Sequence, residues 1–143
     1  MKILVLSHGS LASVLIDTAK MILGEVDDVC AIELLEGADI DQYQQYIRAE
    51  IDSAKEILVL TDLLGGSPFI TTCKIYNGLV ENYKMRLVTG VNLPMLLEVL
   101  NVRDACSLEE LATVANEFGK RGIVDFVKQL DKERQDENST IKN

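Results

Sequence analysis

The sequence predicts a three-layer α/β fold: a four-stranded parallel sheet in the order 2-1-3-4, with helices on both faces. Three observations carry that prediction. Short, almost wholly apolar runs recur along the chain, as strands buried on both faces require. Segments with apolar residues at three-and-four spacing alternate with them. Glycine, serine, asparagine, aspartate and proline punctuate the joins. Such alternation marks βαβ units with right-handed crossovers.

Residues 2–7, Lys-Ile-Leu-Val-Leu-Ser, are the first strand. Leu11, Val14, Leu15, Thr18, Ala19, Ile22 and Leu23 then trace one helix face. Ser10 suits its cap and Gly24 its end. Residues 28–34 read as the second strand, and Gly37 breaks the loop after it. Asp39 or Asp41 starts a helix with Ile40, Tyr43, Ile47 and Ile51 on one side. Residues 56–61 form the third strand, which ends at Asp62.

Ser67 as N-cap and Pro68 as first helical residue open the next helix, with Phe69, Thr72, Cys73 and Tyr76 on one face and Gly78 as the stop. Residues 84–89 are the fourth strand. Asn92 caps a short apolar helix running from Pro94 to Leu100. Ser107 and Glu110 make a capping box for a helix with Leu111, Ala112, Ala115 and Phe118 inward and Gly119 beyond its end. Residues 122–130, with Ile123, Val124, Phe126 and Val127, fit a strand or a helix. The polar stretch 131–143 reads as a frayed tail, so one domain is expected over 1–130.

Composition narrows the function. The 143 residues are 48% hydrophobic, enough for one core. No apolar run approaches the roughly 20 residues that span a bilayer, and no signal-peptide pattern opens the chain. A cytoplasmic protein is expected. The net charge of −9 argues against a nucleic-acid partner, whose phosphates it would repel. Cys30, Cys73 and Cys106 are odd in number and widely spaced, which suits free thiols. With one histidine and no close cysteine pair, zinc is not indicated.

His8 is the chain's single histidine. It ends the first strand, and Asp62 ends the third. In a 2-1-3-4 sheet, winding reverses between these strands, and a crevice opens at their carboxyl ends. The two residues therefore flank one crevice. A carboxylate beside an imidazole fixes one ring nitrogen as donor and leaves the other lone pair free. Gly65-Gly66-Ser67-Pro68 follows Asp62 and offers close backbone approach and a helix N-terminus, a phosphate-binding combination. The plainer alternatives are a histidine bonded to a turn, an aspartate capping a strand end and an ordinary loop into a helix. No Walker A loop or Gly-x-Gly-x-x-Gly fingerprint is present, so no nucleotide cofactor is indicated. No Gly-x-Ser-x-Gly elbow supports a serine hydrolase built on Ser7, Ser10 or Ser67.

Ser7-His8-Gly9, the stretch Thr61 to Phe69 (Thr-Asp-Leu-Leu-Gly-Gly-Ser-Pro-Phe) and the stretch Thr89 to Leu96 (Thr-Gly-Val-Asn-Leu-Pro-Met-Leu) together resemble the IIA domain of the mannose-family bacterial phosphotransferase system. The resemblance spans about residues 1–130. It implies that His8 takes a phosphoryl group from the phosphocarrier HPr and passes it to a IIB component, which phosphorylates sugar during uptake through membrane IIC and IID subunits. It implies that Asp62 orients the imidazole and that Ser67 helps hold the phosphate; the Gly65-Gly66 backbone and the helix terminus offer the remaining donors, so no metal or cofactor is expected. Leu63 departs from members that carry a hydroxyl there. The resemblance further implies a homodimer that exchanges a C-terminal strand, for which residues 122–130 are the candidate. Competing readings are a receiver-like domain phosphorylated on Asp62, the phosphotransfer subunit of a dihydroxyacetone kinase, and a module that binds a small anion without reacting. The receiver reading lacks acidic residues after the first strand, where Ser7-His8-Gly9 stands.

Overall fold

Lys2–His8 forms strand β1 in the middle of the sheet, and every residue from Ile3 to Ser7 is buried. The computed structural model describes residues 1–142. Val29–Leu34 (β2), Ile57–Thr61 (β3) and Met85–Thr89 (β4) complete a parallel sheet in the order β2-β1-β3-β4, as expected. Leu6 pairs with Thr61, while His8 runs past β3 and pairs with Leu34 of β2. β1 therefore projects beyond its other neighbour and carries His8 to the lip of the sheet.

Successive strand residues point to opposite faces, and two helical layers bury them. Ile3, Val5, Leu58 and Leu60 pack under α1 (Leu11–Leu23), α4 (Leu93–Val102) and α5 (Leu108–Arg121). Leu4, Leu6, Ile57 and Val59 pack under α2 (Ile40–Ser53) and α3 (Ser67–Asn77). In α2, Tyr43, Ile47 and Ile51 are buried as their spacing predicts, and Asp39 caps the helix by accepting the Asp41 N–H. Ser107 and Glu110 form the expected capping box of α5.

Several boundaries differ from expectation, each for a local reason. α3 turns Pro68, Thr71, Thr72 and Ile75 inward rather than Phe69, Cys73 and Tyr76. Thr72 enters the core because its hydroxyl donates to the Pro68 carbonyl at 2.7 Å, which satisfies its polarity locally. Gly119 lies inside α5, which runs on to Arg121 with Gly122 as its C-cap, and a Cβ at 119 would meet Met95 Cε at 2.7 Å. The missing side chain lets α4 and α5 close on each other.

Of the two readings that the pattern of 122–130 allows, this chain shows the helix: Phe126–Lys142 is α6, and the exchanged strand that the resemblance implies is not seen within the single chain. Asp125 decides the matter. Its carboxylate accepts the Lys128 N–H at 3.0 Å and its carbonyl accepts the Gln129 N–H at 3.0 Å, which is N-cap geometry. The polar residues that follow, rich in Lys, Glu, Arg and Gln, favour helix and extend it through 131–142, where fraying was expected. No residue of α6 is buried; Phe126 is 72% exposed. The core is built from β1 to α5. Asn143 lies outside the described residues.

Candidate active site

The turn after β1 is held from both sides. Ser7 is buried, and its Oγ accepts the Ala12 N–H at 2.8 Å while donating to the Gly9 carbonyl at 3.3 Å. Ser10, expected to cap α1, makes no side-chain cap bond; Ser7 satisfies the first turn of α1 from the strand end instead. Gly9 allows the tight reversal with φ +58°. His8 is thus fixed by its backbone before its ring makes any contact.

Asp62 Oδ2 then takes His8 twice. It accepts the His8 backbone N–H at 2.9 Å and lies 2.8 Å from ring Nδ1. An ionised carboxylate only accepts, so it favours the proton on Nδ1, and in the neutral ring that leaves the Nε2 lone pair free. The His8 side chain is 47% exposed and that of Asp62 11%. The ring is therefore reachable from solvent while its orienting carboxylate is shielded. The other oxygen, Asp62 Oδ1, is buried with no partner.

The two adjacent glycines of the β3–α3 loop do different work. Gly65 has φ +80°, a conformation few side chains tolerate. Gly66 has φ −73°, which any residue could adopt. A Cβ on Gly66, however, would lie 2.8 Å from His8 Cε1 and 3.5 Å from Nε2. The imidazole rests on the Gly66 backbone and occupies the space of that missing side chain.

Gly66, not Ser67, is the N-cap of α3; Ser67 is its first helical residue, and Pro68 follows within the first turn. The one-residue shift has a chemical consequence. Ser67 is exposed, one residue beyond the glycine against which the His8 ring lies, so its hydroxyl is open to solvent on the same loop. The first-turn N–H groups of Ser67 and Phe69 have no intrahelical acceptor. A helix N-terminus with free donors, beside an imidazole with a free lone pair, suits a phosphoryl group.

His8, Asp62, Gly66 and Ser67 are thus brought to one crevice, with Gly65 shaping the loop. Leu63 is exposed and offers its carbonyl to the Gly66 N–H at 3.1 Å. The Gly-Val-Asn-Leu-Pro-Met stretch serves the fold: Asn92 Oδ1 caps α4 through the Met95 N–H at 3.0 Å, and Asn92 Nδ2 donates to the Gly119 carbonyl at 2.9 Å. Sequence reasoning missed the Ser7 cap and the contact of Gly66 with the ring. The Gly-Gly pair was the available signal for the second.

Comparison with known proteins gives the family. The family described as "PTS system fructose IIA component" matches residues 2–115. The chain belongs to this family. It is 37% identical over 122 residues to the mannose-specific EIIAB component of Escherichia coli K12, a match covering 82% of this chain and 36% of that one. The chain thus spans about a third of the length of that relative. It is 31% identical over 113 residues to the fructose-specific EIIA component of Bacillus subtilis 168, covering 76% of this chain and 75% of that one. The crystal structure of a phosphotransferase system EIIA component from Streptococcus agalactiae superposes with a TM-score of 0.84 at 30% identity, covering 89% and 98% of the two chains. The family match takes in β1 through α4 and the first part of α5, and stops short of α6. Every residue of the crevice lies inside it.

Proposed function

We propose that this phosphotransferase-system IIA chain is a phosphoryl relay of sugar uptake: His8 accepts the group from phospho-HPr and passes it to a IIB component. The observation that carries the reading is the 2.8 Å contact between His8 Nδ1 and Asp62 Oδ2, which leaves Nε2 as the exposed nucleophile. The Nε2 lone pair forms the new N–P bond as the donor's bond to phosphorus breaks. Nδ1 keeps its proton, the ring gains positive charge, and Asp62 stabilises that charge. Ser67 Oγ and the free N–H groups of the first turn of α3 hold the phosphoryl oxygens. The membrane IIC and IID subunits take part only through IIB, and the relay operates in the cytoplasm. No helix among the described residues is long and apolar enough to cross a membrane.

The receiver reading is disfavoured by the same geometry. Asp62 would have to be the nucleophile, yet Oδ2 is engaged twice by His8 and Oδ1 is buried. Intact mass after incubation with enzyme I, HPr and phosphoenolpyruvate tests the relay. The wild-type chain should gain one phosphoryl group and His8→Ala none. A group appearing on the His8→Ala chain would end this reading.

We further propose a homodimer built on the segment after α5. Ile123, Val124, Phe126 and Val127 are exposed, and Ile123, Val124, Val127 and Lys128 line a groove of about 810 Å³. The outer edge of β4 is unpaired within the chain, and natural sheets cover such edges. A second copy covers both in one two-fold assembly. Truncation after Gly122 should give monomers in multi-angle light scattering. A truncated chain that remains a dimer would place the interface elsewhere.

A further inference from the structure

Among the described residues, three buried side-chain oxygens have no hydrogen-bond partner: Tyr43 Oη, Thr61 Oγ1 and Asp62 Oδ1. Folded proteins pair nearly all such atoms, so each one asks for an explanation. These three are not scattered. Asp62 follows Thr61 at the end of β3, and its bond to the ring of His8, two residues after Leu6, brings it to the face that Leu6 shares. Thr61 stands beside Leu6 in the sheet register and two residues after Val59, so it shares their face. Tyr43 is 3% exposed and packs into the core with Leu6 and Val59 on that same face. Burial pushes the Tyr43 phenol well above its ordinary pKa, and the Asp62 carboxylate lies near enough to push it the same way.

The chemistry of the three oxygens is complementary. An ionised carboxylate can only accept, whereas the hydroxyls of tyrosine and threonine can donate. A buried water held by about three polar groups is the ordinary way for proteins to join such atoms. We propose that Tyr43 is a positioning residue for the His8–Asp62 pair. Its hydroxyl, with that of Thr61 and one bridging water, supplies the donor set for Asp62 Oδ1. The carboxylate is then held at both oxygens. Oδ2 stays aimed at the His8 N–H and Nδ1 together, and the proton stays on Nδ1. Without the Oδ1 anchor the carboxylate turns about its Cβ–Cγ bond, and the two ring tautomers mix.

The kinetic part of this inference rests on the relay reading; the spectroscopic part does not. His8 is the only histidine, so its ring nitrogens give unambiguous ¹⁵N signals. In wild type these should show Nδ1 protonated and Nε2 bare. Tyr43→Phe should draw the two resonances toward each other. The rate of phosphoryl uptake from phospho-HPr should fall about tenfold at an unchanged half-saturating HPr concentration, within the range of coupling between contacting groups. In an Asp62→Asn background, the same substitution should change the rate less than about twofold, because the group it acts through is gone. Thr61→Val should act in the same direction, and it decides the matter if Tyr43→Phe does not fold. Wild-type ring resonances and rate in Tyr43→Phe, or an equal loss in both backgrounds, would overturn the proposal. A wild-type chain that takes up no phosphoryl group, yet whose ring signals move in Tyr43→Phe, would sink the relay and leave the positioning role standing.

Discussion

The two ends of the sheet carry similar polar residues and use them in opposite ways. At the amino end, Lys2 Nζ reaches Glu50 and Ser53, and Lys84 Nζ donates to the Ile51 and Ala54 carbonyls at 2.9 and 3.0 Å. Arg103 donates to the Asp28 carbonyl at 3.1 Å, where the chain enters β2. These charges close helix ends and strand starts. At the carboxyl end, the His8 ring stands half in solvent and Ser67 is exposed. Beneath them lie three buried oxygens without partners. The difference teaches where to look for chemistry: polar groups that satisfy one another hold the fold, and those left open on a rigid frame can act on something else.

Substitutions at the two ends should therefore fail in different measurements. Asp62→Asn should slow phosphoryl uptake by on the order of 10²-fold or more, because an amide can hold the wrong tautomer and cannot stabilise the charged ring. Its circular dichroism should match wild type. Quench-flow rates near wild type would reduce Asp62 to a structural cap. Gly66→Ala comes next. Its Cβ would lie 2.8 Å from His8 Cε1, so the ring must move. Misplacement on the ångström scale should slow transfer by about tenfold or more, with little change in the urea midpoint. An unaffected rate would mean that the ring can leave Gly66 without cost. Lys84→Met should show the reverse pattern. Losing two charged hydrogen bonds at the end of α2 should lower stability by about 1–2 kcal/mol in urea titration and leave the transfer rate unchanged. A slower transfer in that variant would break the division between the two ends.

Much of this was legible in the sequence, for physical reasons. β1 and β3 are apolar and buried on both faces, so each was legible to within one residue at one end, and the order 2-1-3-4 is a common doubly wound arrangement for alternating strands and helices. The meeting of His8 with Asp62 followed from topology, since the crevice lies where the winding reverses. Side-chain bonds at turns were less legible. Ser7 and Ser10 are the same residue type near the same helix start, and only the geometry of the turn selects Ser7. Gly66 was readable as flexible, but not as the floor beneath a ring. The segment after Gly122 stays ambiguous in the sequence because Ile123, Val124, Phe126 and Val127 fit either period, and only the bond from the Lys128 N–H to the Asp125 carboxylate selects the helix. Tyr43 was read correctly as core; the orphaned hydroxyl at its tip is invisible to periodicity.

Pro68 gives the crevice one more property. Coming directly after Ser67 in the first turn of α3, it removes an N–H where a phosphate cradle would otherwise gain one. An enzyme that stores phosphate gains from every added donor, but a carrier works under another rule. Each donor that deepens the well on arrival must be given up on departure, so a cradle with too many donors becomes a trap. Under the proposed relay, the Ser67 hydroxyl and two backbone donors in place of three would keep the well shallow, so that a group held on His8 would be nearly as easy to take as to give.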